Sequence, residues 1–513
     1  MKIPTHTMGK VYLVGAGPSD AGLITVKGRQ VIEQAQVIIY DALIGYGIRT
    51  LFPQQAEMIS VGKRAGTHSA KQEEINRLLV EKALEGKRVV RVKGGDPFLF
   101  GRGGEELELL VTHQIPYEVV PGVTSALAVA AYAGIPVTYR GITDSVHIIT
   151  GHKKQNEPLD IDFTALLKTK GTYLFLMGVS AIHEIVQGFL CAGMSPDMPA
   201  AVLQNGTNAD CQNVFADLAS LEDELHKRQV KTPAVIVIGE VAALGKKFSW
   251  YDQLPLSKSR ILITRPSARS VQMAELLYSL GAEVLQMPTI RTQIRDCEKQ
   301  FLEVLSQIND YHYLVFTSPA GVDYFFELLD RLELDIRCIG TIRLAVIGSA
   351  TAKALKKRGL RPALMPERYH GTALGKLLNE VVQEGEKVLI LRSSMGNEQL
   401  VSEIQKKKQI EVLDFALYET VYQQDINKEM LTEVKMLLET GRIEMVMFTS
   451  ASTVCGFMRL LEGVDCTKIR AVCIGQMTAE QAAGYGMQVF QAQMETIESM
   501  VDTAVLLHQH LKK

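Results

Sequence analysis

The stretch 94–104 holds residue types that bind a small ligand, in the order Gly-Gly-Asp-Pro-Phe-Leu-Phe-Gly-Arg-Gly-Gly. Because glycine has no Cβ, a ligand can lie directly against the main-chain amides and carbonyls of such a stretch. Asp96 can accept hydrogen bonds from a hydroxyl or an amine, and Arg102 offers a planar guanidinium to a carboxylate or phosphate. Five glycines, an acid and an arginine within eleven residues exceed what a tightly packed connection needs, so the stretch indicates a binding loop.

The elements around this loop follow an α/β pattern. The run 89–92 is typical of a buried strand, and a helical pattern begins at Glu105. The same strand-to-helix change occurs where 11–14 runs into Gly-Ala-Gly-Pro-Ser-Asp and where 119–120 runs into Pro-Gly-Val-Thr-Ser. In α/β sheets, ligands bind beyond the carboxyl ends of the strands, so these turns predict one shared site.

Asp41 follows the apolar run 37–40 and is a further candidate for this edge of the sheet. Spacing alone leaves two roles equally open, a carboxylate that faces the ligand and a cap of the next turn. A nicotinamide site is disfavoured, because the turn after 11–14 has Asp20 where a dinucleotide fold needs its third glycine.

Composition excludes several classes of protein. A chain of 513 residues predicts two to four domains, and a net charge of −2 argues against a nucleic-acid binder. Seven dispersed cysteines without a Cys-x-x-Cys pair favour a reducing cytoplasm and neither disulfides nor a metal site. The apolar run 126–137 is too short to span a bilayer, so no membrane association is expected.

The first half resembles the tetrapyrrole methylase family, and within it the uroporphyrinogen-III C-methyltransferases. The resemblance covers about residues 9–250 and rests on motifs in family order: Gly15-Ala16-Gly17-Pro18, Tyr40-Asp41, Val61-Gly62-Lys63-Arg64-Ala65-Gly66, Gly94-Gly95-Asp96-Pro97, Pro121-Gly122-Val123-Thr124-Ser125-Ala126, Met177-Gly178-Val179 and Pro233-Ala234. It implies two α/β subdomains, at about 9–115 and 116–245, with S-adenosylmethionine between them and a homodimer formed through this half.

The resemblance also implies site residues. Those expected to bind the cofactor are Pro18, Gly94, Gly95, Asp96, Leu99, Thr124, Ser125, Met177, Gly206 and Ala234. Two departures from the family pattern are Ser19, where a glycine is usual, and Gly206, where an alanine is common. Asp41 is expected to act as the base that removes the proton released as the ring rearomatises, with Lys63 as its proton-donating or carboxylate-binding partner. Lys63, Arg64 and Arg102 would bind carboxylates of the eight-acid substrate.

The second half contains an internal repeat. A strand, a Thr-Ser turn and a helix start occur at 313–322 and again at 445–454, about 130 residues later. The repeat predicts two similar α/β lobes, and its turn hydroxyls are Thr317, Ser318, Thr449 and Ser450. Helix N-termini bind anions, although ordinary N-capping by these hydroxyls explains the pattern equally well.

This half resembles the uroporphyrinogen-III synthase family over residues 258–513. The motifs are Thr264-Arg265-Pro266, Phe316-Thr317-Ser318-Pro319-Ala320-Gly321-Val322, Val346-Ile347-Gly348, Leu391-Arg392, Tyr418-Glu419-Thr420-Val421, Phe448-Thr449-Ser450 and Ile474-Gly475. The family implies lobe one from 260–288 plus 424–513 and lobe two from 292–417. Tyr418 is the candidate that assists departure of the substrate hydroxyl, and the four turn hydroxyls would bind carboxylates. A packing role for Tyr418 on a hinge strand is equally open.

Together these features predict an α/β protein with a methyltransferase at 1–250, a linker at 251–259 and a synthase at 260–513. The expected function is bifunctional and cytoplasmic: closure of hydroxymethylbilane to uroporphyrinogen III, then two methylations by S-adenosylmethionine to precorrin-2 for sirohaem or cobalamin. The alternative is an active methyltransferase whose second half only binds tetrapyrroles.

Overall fold

In the part of the chain that the structure describes, twenty strands form four sheets of five. The computed structural model describes residues 8–53, 55–62, 72–151, 159–265, 267–396, 398–406, 410–424 and 426–512. Two sheets lie in each half of the chain, and helices separate their parallel strands. The predicted α/β class, with a two-subdomain first half and a two-lobed second half, is confirmed. No helix in the described ranges is long and apolar enough to cross a membrane.

The first subdomain is a fully parallel sheet with strand order β3-β2-β4-β1-β5. Its elements are β1 Lys10–Gly15, α1 Val26–Glu33, β2 Val37–Tyr40, α2 Tyr46–Arg49, β3 Glu57–Ser60, α3 Gln72–Leu84, β4 Arg88–Lys93, α4 Gly103–Thr112 and β5 Tyr117–Val120. Both faces are covered, since Val14 and Ile38 belong to one apolar cluster and Leu13 and Ile39 to the other. The strands are therefore buried on both sides, as parallel sheets require.

The second subdomain follows α5, Ser125–Tyr132, and has the mixed order β6-β7-β10-β8-β9. Its elements are β6 Val146–Thr150, α6 Phe163–Lys168, β7 Thr172–Leu176, α7 Ile182–Cys191, β8 Pro199–Gln204, β9 Gln212–Asp217, α8 Leu221–Lys227 and β10 Ala234–Ile238. Among its described strands, β6 and β7 pair in parallel, whereas β10 pairs antiparallel with both neighbours.

The second half alternates strands and helices throughout. Its elements are β11 Arg260–Ile263, α9 Ser267–Ser279, β12 Glu283–Gln286, β13 Ile290–Ile294, α10 Glu298–Ser306, β14 Tyr313–Phe316, α11 Pro319–Arg331, β15 Arg343–Val346, α12 Ser349–Lys357, α13 Gly371–Val381, β16 Lys387–Ser393, α14 Gln399–Gln405, β17 Glu411–Tyr422, α15 Lys428–Glu439, β18 Met445–Phe448, α16 Ala451–Leu460, β19 Arg470–Cys473, α17 Gln476–Gly484, β20 Gln488–Gln491 and α18 Ile497–Leu511.

These elements form two lobes, and the chain passes between the lobes twice. Lobe one contains the parallel sheet β12-β11-β18-β19-β20, and lobe two contains β13-β17-β16-β14-β15. The chain leaves lobe one after β12 and returns after β17, so residues 287–289 join the lobes at the first crossing and residues 423–424 begin the second. The antiparallel pair β13 and β17 brings these two crossings side by side, with Ile290 opposite Tyr422.

Lobe one contacts the first half through polar side chains. The Tyr40 hydroxyl donates to Glu429 Oε2 at 3.0 Å, and Arg49 pairs with Glu433 at 2.7 Å. Arg260, almost fully buried, bonds Asp210 at 2.5 Å. The connecting segment also packs tightly, because the Trp250 indole donates to the Ala131 carbonyl at 2.9 Å and the Tyr251 hydroxyl to the Gly281 carbonyl at 3.1 Å.

Candidate functional site

Three glycine-containing turns of the first subdomain meet at the carboxyl ends of β1, β4 and β5. Gly95 N donates to the Gly17 carbonyl at 2.8 Å, and Gly17 N donates back to the Gly95 carbonyl at 3.2 Å. A Cβ on Gly122 would lie 2.2 Å from the Gly95 carbonyl oxygen, and one on Gly15 would lie 2.5 Å from the Gly122 amide. These positions therefore accept only glycine, because the three backbones touch directly.

The strand order explains this convergence. β4 and β5 flank β1 in a parallel sheet, so their carboxyl ends lie at the same edge. Sequence reasoning predicted a shared edge from the three turns, and the sheet order brings the turns into contact.

Asp96 ties two of these turns together. Its Oδ1 accepts from the amides of Phe98 and Leu99, at 2.8 and 3.2 Å, and its Oδ2 accepts from the Gly122 amide at 3.1 Å. The carboxylate therefore stabilises the loop that follows β4 and holds it against the turn that follows β5. Its remaining lone pairs are available to a ligand.

An open cradle lies beside this junction. Gly95 has a φ of +67°, and a Cβ built on it would find its nearest atoms at Ser125 N and Thr124 Cα, 3.7 and 3.8 Å away. Thr124 caps α5 by accepting from the Ala126 amide. A ligand can therefore approach the backbone here.

The second subdomain closes the cradle from the other side. The Thr207 hydroxyl donates to the carbonyl of buried Pro18, which joins the first turn to the loop after β8. A Cβ on Gly206 would lie 2.3 Å from a Val129 methyl group, so this departure from the family alanine matches close packing against α5. Met177 has a φ of 56° and is 45% exposed, hence it is not core filler.

Ala234 and Ser19, both singled out from the sequence, lie in different environments. Ala234 begins β10 and is buried, with Gln204 as its partner in β8. Ser19 has a φ of 96°, a backbone conformation that L-residues rarely adopt and that the family's glycine adopts freely.

Asp41 lies one residue beyond β2 and is held by a buried arginine of the adjacent strand β4. Arg91 Nη2 donates to Asp41 Oδ1 at 2.7 Å. The arginine side chain is 2% exposed, whereas that of Asp41 is 29% exposed. The loop after Asp41 also approaches the binding loop, since a Cβ on Gly94 would meet Leu43 Cβ at 3.3 Å. The carboxylate is therefore fixed at the rim of the cradle and remains accessible.

A second carboxylate lies behind Arg91. Glu106 is fully buried, and its Oε1 accepts from Arg91 Nε at 3.2 Å and from Lys93 Nζ at 2.8 Å. Burial, followed by repulsion from Arg91, lowers the pKa of the Lys93 ammonium, while Glu106 opposes both effects.

Sequence reasoning missed Arg91, Lys93 and Glu106. The sequence does contain a pattern that could have identified them, because Arg91 and Lys93 are two residues apart in a buried strand and so lie on one face. Two buried cations on a face require buried anions, and Glu106 supplies one.

Three predicted basic residues have different outcomes. Lys63 and Arg64 lie outside the described residues, so their roles stay predictions. Arg102 is exposed and pairs with Glu105 at 2.6 Å, one turn along α4. Its Nε and Nη2 therefore already donate to Glu105, and a substrate carboxylate would bind through the remaining donors of the guanidinium.

The structure brings Tyr418 and Ser318 together in lobe two. Their hydroxyl oxygens are 2.8 Å apart, and Ser318 Oγ also accepts from the Gly321 amide at 3.0 Å. The Tyr418 side chain is buried, and the Tyr324 ring lies 5.3 Å from its own. The tyrosine is thus packed and at the same time joined to the turn at the start of α11.

The turn hydroxyls of lobe one also cap a helix. Ser450 Oγ accepts from the Thr453 amide at 3.3 Å, and Thr453 Oγ1 accepts from the Ser450 amide at 3.3 Å. Ser318 and Ser450 therefore both serve as N-caps, which is the alternative to anion binding that the sequence left open. Thr317 and Thr449, the residues just before these caps, are partly exposed.

Two family models match the chain. Residues 10–222 match "Tetrapyrrole (Corrin/Porphyrin) Methylases", and residues 271–502 match "Uroporphyrinogen-III synthase HemD". The chain is 42% identical over 494 residues to the porphyrin biosynthesis protein HemD of Ruminiclostridium josui. The matched region spans 96% of this chain and 97% of that protein.

Two further relatives match the first half or more. The uroporphyrinogen-III C-methyltransferase of Bacillus subtilis (strain 168) is 37% identical over 369 residues, 72% of this chain and 75% of its own length. The S-adenosyl-L-methionine-dependent uroporphyrinogen III methyltransferase of Methanosarcina barkeri is 50% identical over 237 residues, 46% of this chain and 93% of its own length.

Proposed function

The chain belongs to the family in which a tetrapyrrole methylase is fused to a uroporphyrinogen-III synthase, and we propose how its two sites carry out these reactions. The protein is a bifunctional enzyme of tetrapyrrole biosynthesis, an S-adenosylmethionine-dependent uroporphyrinogen-III methyltransferase and a uroporphyrinogen-III synthase. The second half forms uroporphyrinogen III, which the first half then methylates twice to precorrin-2.

In the first half, the turns containing Gly94, Gly95 and Thr124 hold S-adenosylmethionine, with Pro18, Ser125, Met177, Gly206 and Ala234 around it. When bound, this molecule supplies an electrophilic methyl group. Asp96 keeps the turns in place through three amides, so the cradle is formed before the ligand arrives. Preorganisation of this kind lowers the entropic barrier to reaction.

Asp41 acts on the substrate carbon. Methyl transfer to a substituted pyrrole carbon leaves a cationic ring, which becomes neutral by losing a proton from the ring nitrogen or an adjoining bridge carbon, and a carboxylate within reach accepts that proton. The observation that carries this assignment is the fixed position of Asp41, bonded to Arg91 at 2.7 Å beside the binding loop. Lys63, Arg64 and Arg102 are proposed to bind substrate carboxylates around it.

In the second half, Tyr418 donates a proton to the hydroxyl group that leaves hydroxymethylbilane as water. The substrate carbon that loses this hydroxyl is then attacked by the bridge-bearing α-carbon of the terminal pyrrole, which gives a spirocyclic intermediate. That pyrrole's original bridge bond breaks and re-forms at its other α-carbon, which inverts the ring, and the proton lost from this carbon restores the Tyr418 hydroxyl. Ser318 orients the Tyr418 hydroxyl at 2.8 Å, and Thr317, Thr449 and Ser450 bind carboxylates. Neutral donors suffice because the substrate is itself reactive.

The test is product analysis with the full-length protein. Hydroxymethylbilane alone is expected to yield uroporphyrinogen III, and addition of S-adenosylmethionine is expected to yield a product heavier by two methyl groups. Ring closure without inversion would show that the second half only binds tetrapyrroles. A homodimer formed through the first half is also proposed, and light scattering of the purified protein tests it.

A further inference from the structure

The side chain of Arg91 crosses from β4 to the end of β2 and uses every nitrogen of its guanidinium. Nη2 donates to Asp41 Oδ1 at 2.7 Å, and Nη1 donates to the carbonyls of Val92 and Ile39 at 3.1 and 3.4 Å. Nε donates to Glu106 Oε1 at 3.2 Å. A planar donor fixed at four points has little freedom to rotate.

Glu106 anchors the inner end of this arrangement. The residue is fully buried in the first turn of α4, and its Oε1 accepts from Lys93 at 2.8 Å and Gln72 at 3.3 Å as well as from Arg91. Its Oε2 has no hydrogen-bond partner within the described ranges. A buried carboxylate at this position persists because two cations lie against it.

The four charged groups alternate in sign from the rim to the interior. Asp41 is partly exposed, and Arg91, Glu106 and Lys93 follow it inward with side-chain exposures of 5% or less. Each buried charge therefore has an opposite charge within about 3 Å, and the set as a whole is neutral. Such an arrangement is stable in only one geometry, since moving one member leaves its neighbour unpaired and buried.

The contact with Arg91 also distinguishes the two oxygens of Asp41. Oδ1 accepts from the guanidinium, whereas Oδ2 accepts no hydrogen bond from the residues that the structure describes. An oxygen that already accepts from a permanent cation is the poorer proton acceptor, so Oδ2 is left for the substrate.

We propose that Arg91, Glu106 and Lys93 are positioning residues for methyl transfer, which act through Asp41 by fixing Oδ1 and leaving Oδ2 to receive the substrate proton. The proposal rests on the proposed role of Asp41 as the base. None of the three residues needs to touch substrate or S-adenosylmethionine, because their effect is transmitted through the carboxylate.

The experiment compares Arg91→Met, Arg91→Lys and Glu106→Gln in the full-length chain. Arg91→Met is expected to lower kcat for methyl transfer about 10²-fold, since misplacement by about 1 Å has that cost. The KM for uroporphyrinogen III and the Kd for S-adenosylmethionine, measured by calorimetry, are expected to stay within about twofold. Arg91→Lys should recover roughly tenfold of the loss, and Glu106→Gln should lower kcat roughly tenfold.

A double variant separates positioning from structure. If Arg91 acts through Asp41, then adding Arg91→Met to Asp41→Asn changes the residual kcat by less than about twofold. A further loss equal to that of Arg91→Met alone would overturn the proposal. So would weakened S-adenosylmethionine binding in all three Arg91 and Glu106 variants, because that outcome indicates a purely structural role.

Two controls make the outcomes distinguishable. Arg88→Met makes the same chemical change at the start of β4, where the guanidinium lies 4.6 Å from the Tyr12 ring, and should leave kcat unchanged. S-adenosylmethionine binding, measured in the same samples, reports whether the first half of each variant is folded, and synthase activity reports the same for the second half. Full activity of Asp41→Asn would remove the proposed base, whereas full activity of Arg91→Met beside an inactive Asp41→Asn would overturn only the positioning role.

Discussion

The two halves of this enzyme build their candidate sites from different groups. In the methylase half, Asp41 is bonded to a buried chain of charges that runs through Arg91 and Glu106. In the synthase half, the buried hydroxyl of Tyr418 meets Ser318, and no charged group takes part in that hydrogen bond. The first site preserves a negative charge, and the second presents neutral donors.

This difference follows from the two reactions. A general base must remain ionised at a partly buried position, which requires counter-charges close by. A substrate that ionises by losing water needs only oriented donors and a shape to fold against. Hydroxyls that already cap helices are suited to this purpose, and Ser318 is one such hydroxyl, since it accepts from the Gly321 amide. The comparison therefore predicts unequal sensitivity to substitution.

The largest effect is expected for Asp41→Asn. The amide keeps the size of the side chain and can still accept from Arg91, but it is a poor proton acceptor at neutral pH. Methyl transfer should fall by about 10²–10⁴-fold, as is typical on loss of a general base. S-adenosylmethionine affinity and synthase rate should not change. Exposed Asp144→Asn is the matched control, and wild-type turnover of Asp41→Asn would exclude the carboxylate from the mechanism.

Gly122→Ala tests whether backbone contact, rather than charge, forms the cofactor cradle. The new Cβ would lie 2.2 Å from the Gly95 carbonyl, so the turns must separate. We expect S-adenosylmethionine affinity to fall at least about tenfold and the free energy of unfolding to fall by about 1–3 kcal/mol. Gly104→Ala is the control, since nothing lies within 4 Å of its Cβ position. If calorimetry gives the same S-adenosylmethionine affinity for Gly122→Ala and Gly104→Ala, the contact between Gly122 and Gly95 does not form the cradle.

Tyr418→Phe sharpens the comparison from the side of the synthase. Loss of the hydroxyl removes its bond to Ser318 and its proposed donation to the substrate, which together correspond to roughly a tenfold lower rate. Stopped assays with isomer analysis measure this rate. The control is Tyr324→Phe, whose hydroxyl bonds Thr292 and whose ring lies beside Tyr418. If both variants form the type III isomer at the wild-type rate, Tyr418 is a packing residue.

The smallest effect concerns the polar contact between the halves. Burial raises the pKa of Asp210, but hydrogen bonds from Arg442 and Arg260 outweigh it and hold that pKa below 3.8. Because the folded-state pKa is the lower one, the stabilisation is complete above about pH 4 and disappears as the pH falls further. Asp210→Asn should cost on the order of 1 kcal/mol of unfolding free energy at neutral pH.

Chemical denaturation at about pH 7 and about pH 3 checks this sign, since the difference between wild type and Asp210→Asn should shrink at the lower pH. Exposed Asp217→Asn provides the control. A difference that grows on acidification would contradict the assigned direction.

Several features could be predicted from local sequence because local chemistry fixes them. Runs of β-branched residues followed by glycine turns indicated parallel strands with a common edge, and the repeat at 313–322 and 445–454 indicated two lobes. Ser318 and Ser450 were recognised as possible caps, since capping depends on residues only three positions apart. The α/β class and the two lobes that these patterns predicted are confirmed.

Other features could not be predicted from local patterns because they join residues that are distant in sequence. Arg91 reaches Asp41 across 50 positions and Glu106 across 15, which only the pairing of β2 with β4 and the packing of α4 allow. Likewise, Arg102 had the chemistry of an anion-binding residue, yet the turn geometry placed Glu105 against it.

The sequence by itself therefore determined which residue types could bind a sulfonium donor and a polyacid, and on which turns they lie. Tertiary structure decided which of them meet. The reason is physical. The residue type fixes which hydrogen bonds and ion pairs a side chain can form, but the fold decides which of these it forms, because a buried polar group must pair with the groups that lie beside it. Asp41 illustrates both, since its carboxylate was evident from the sequence and its attachment to Arg91 was not.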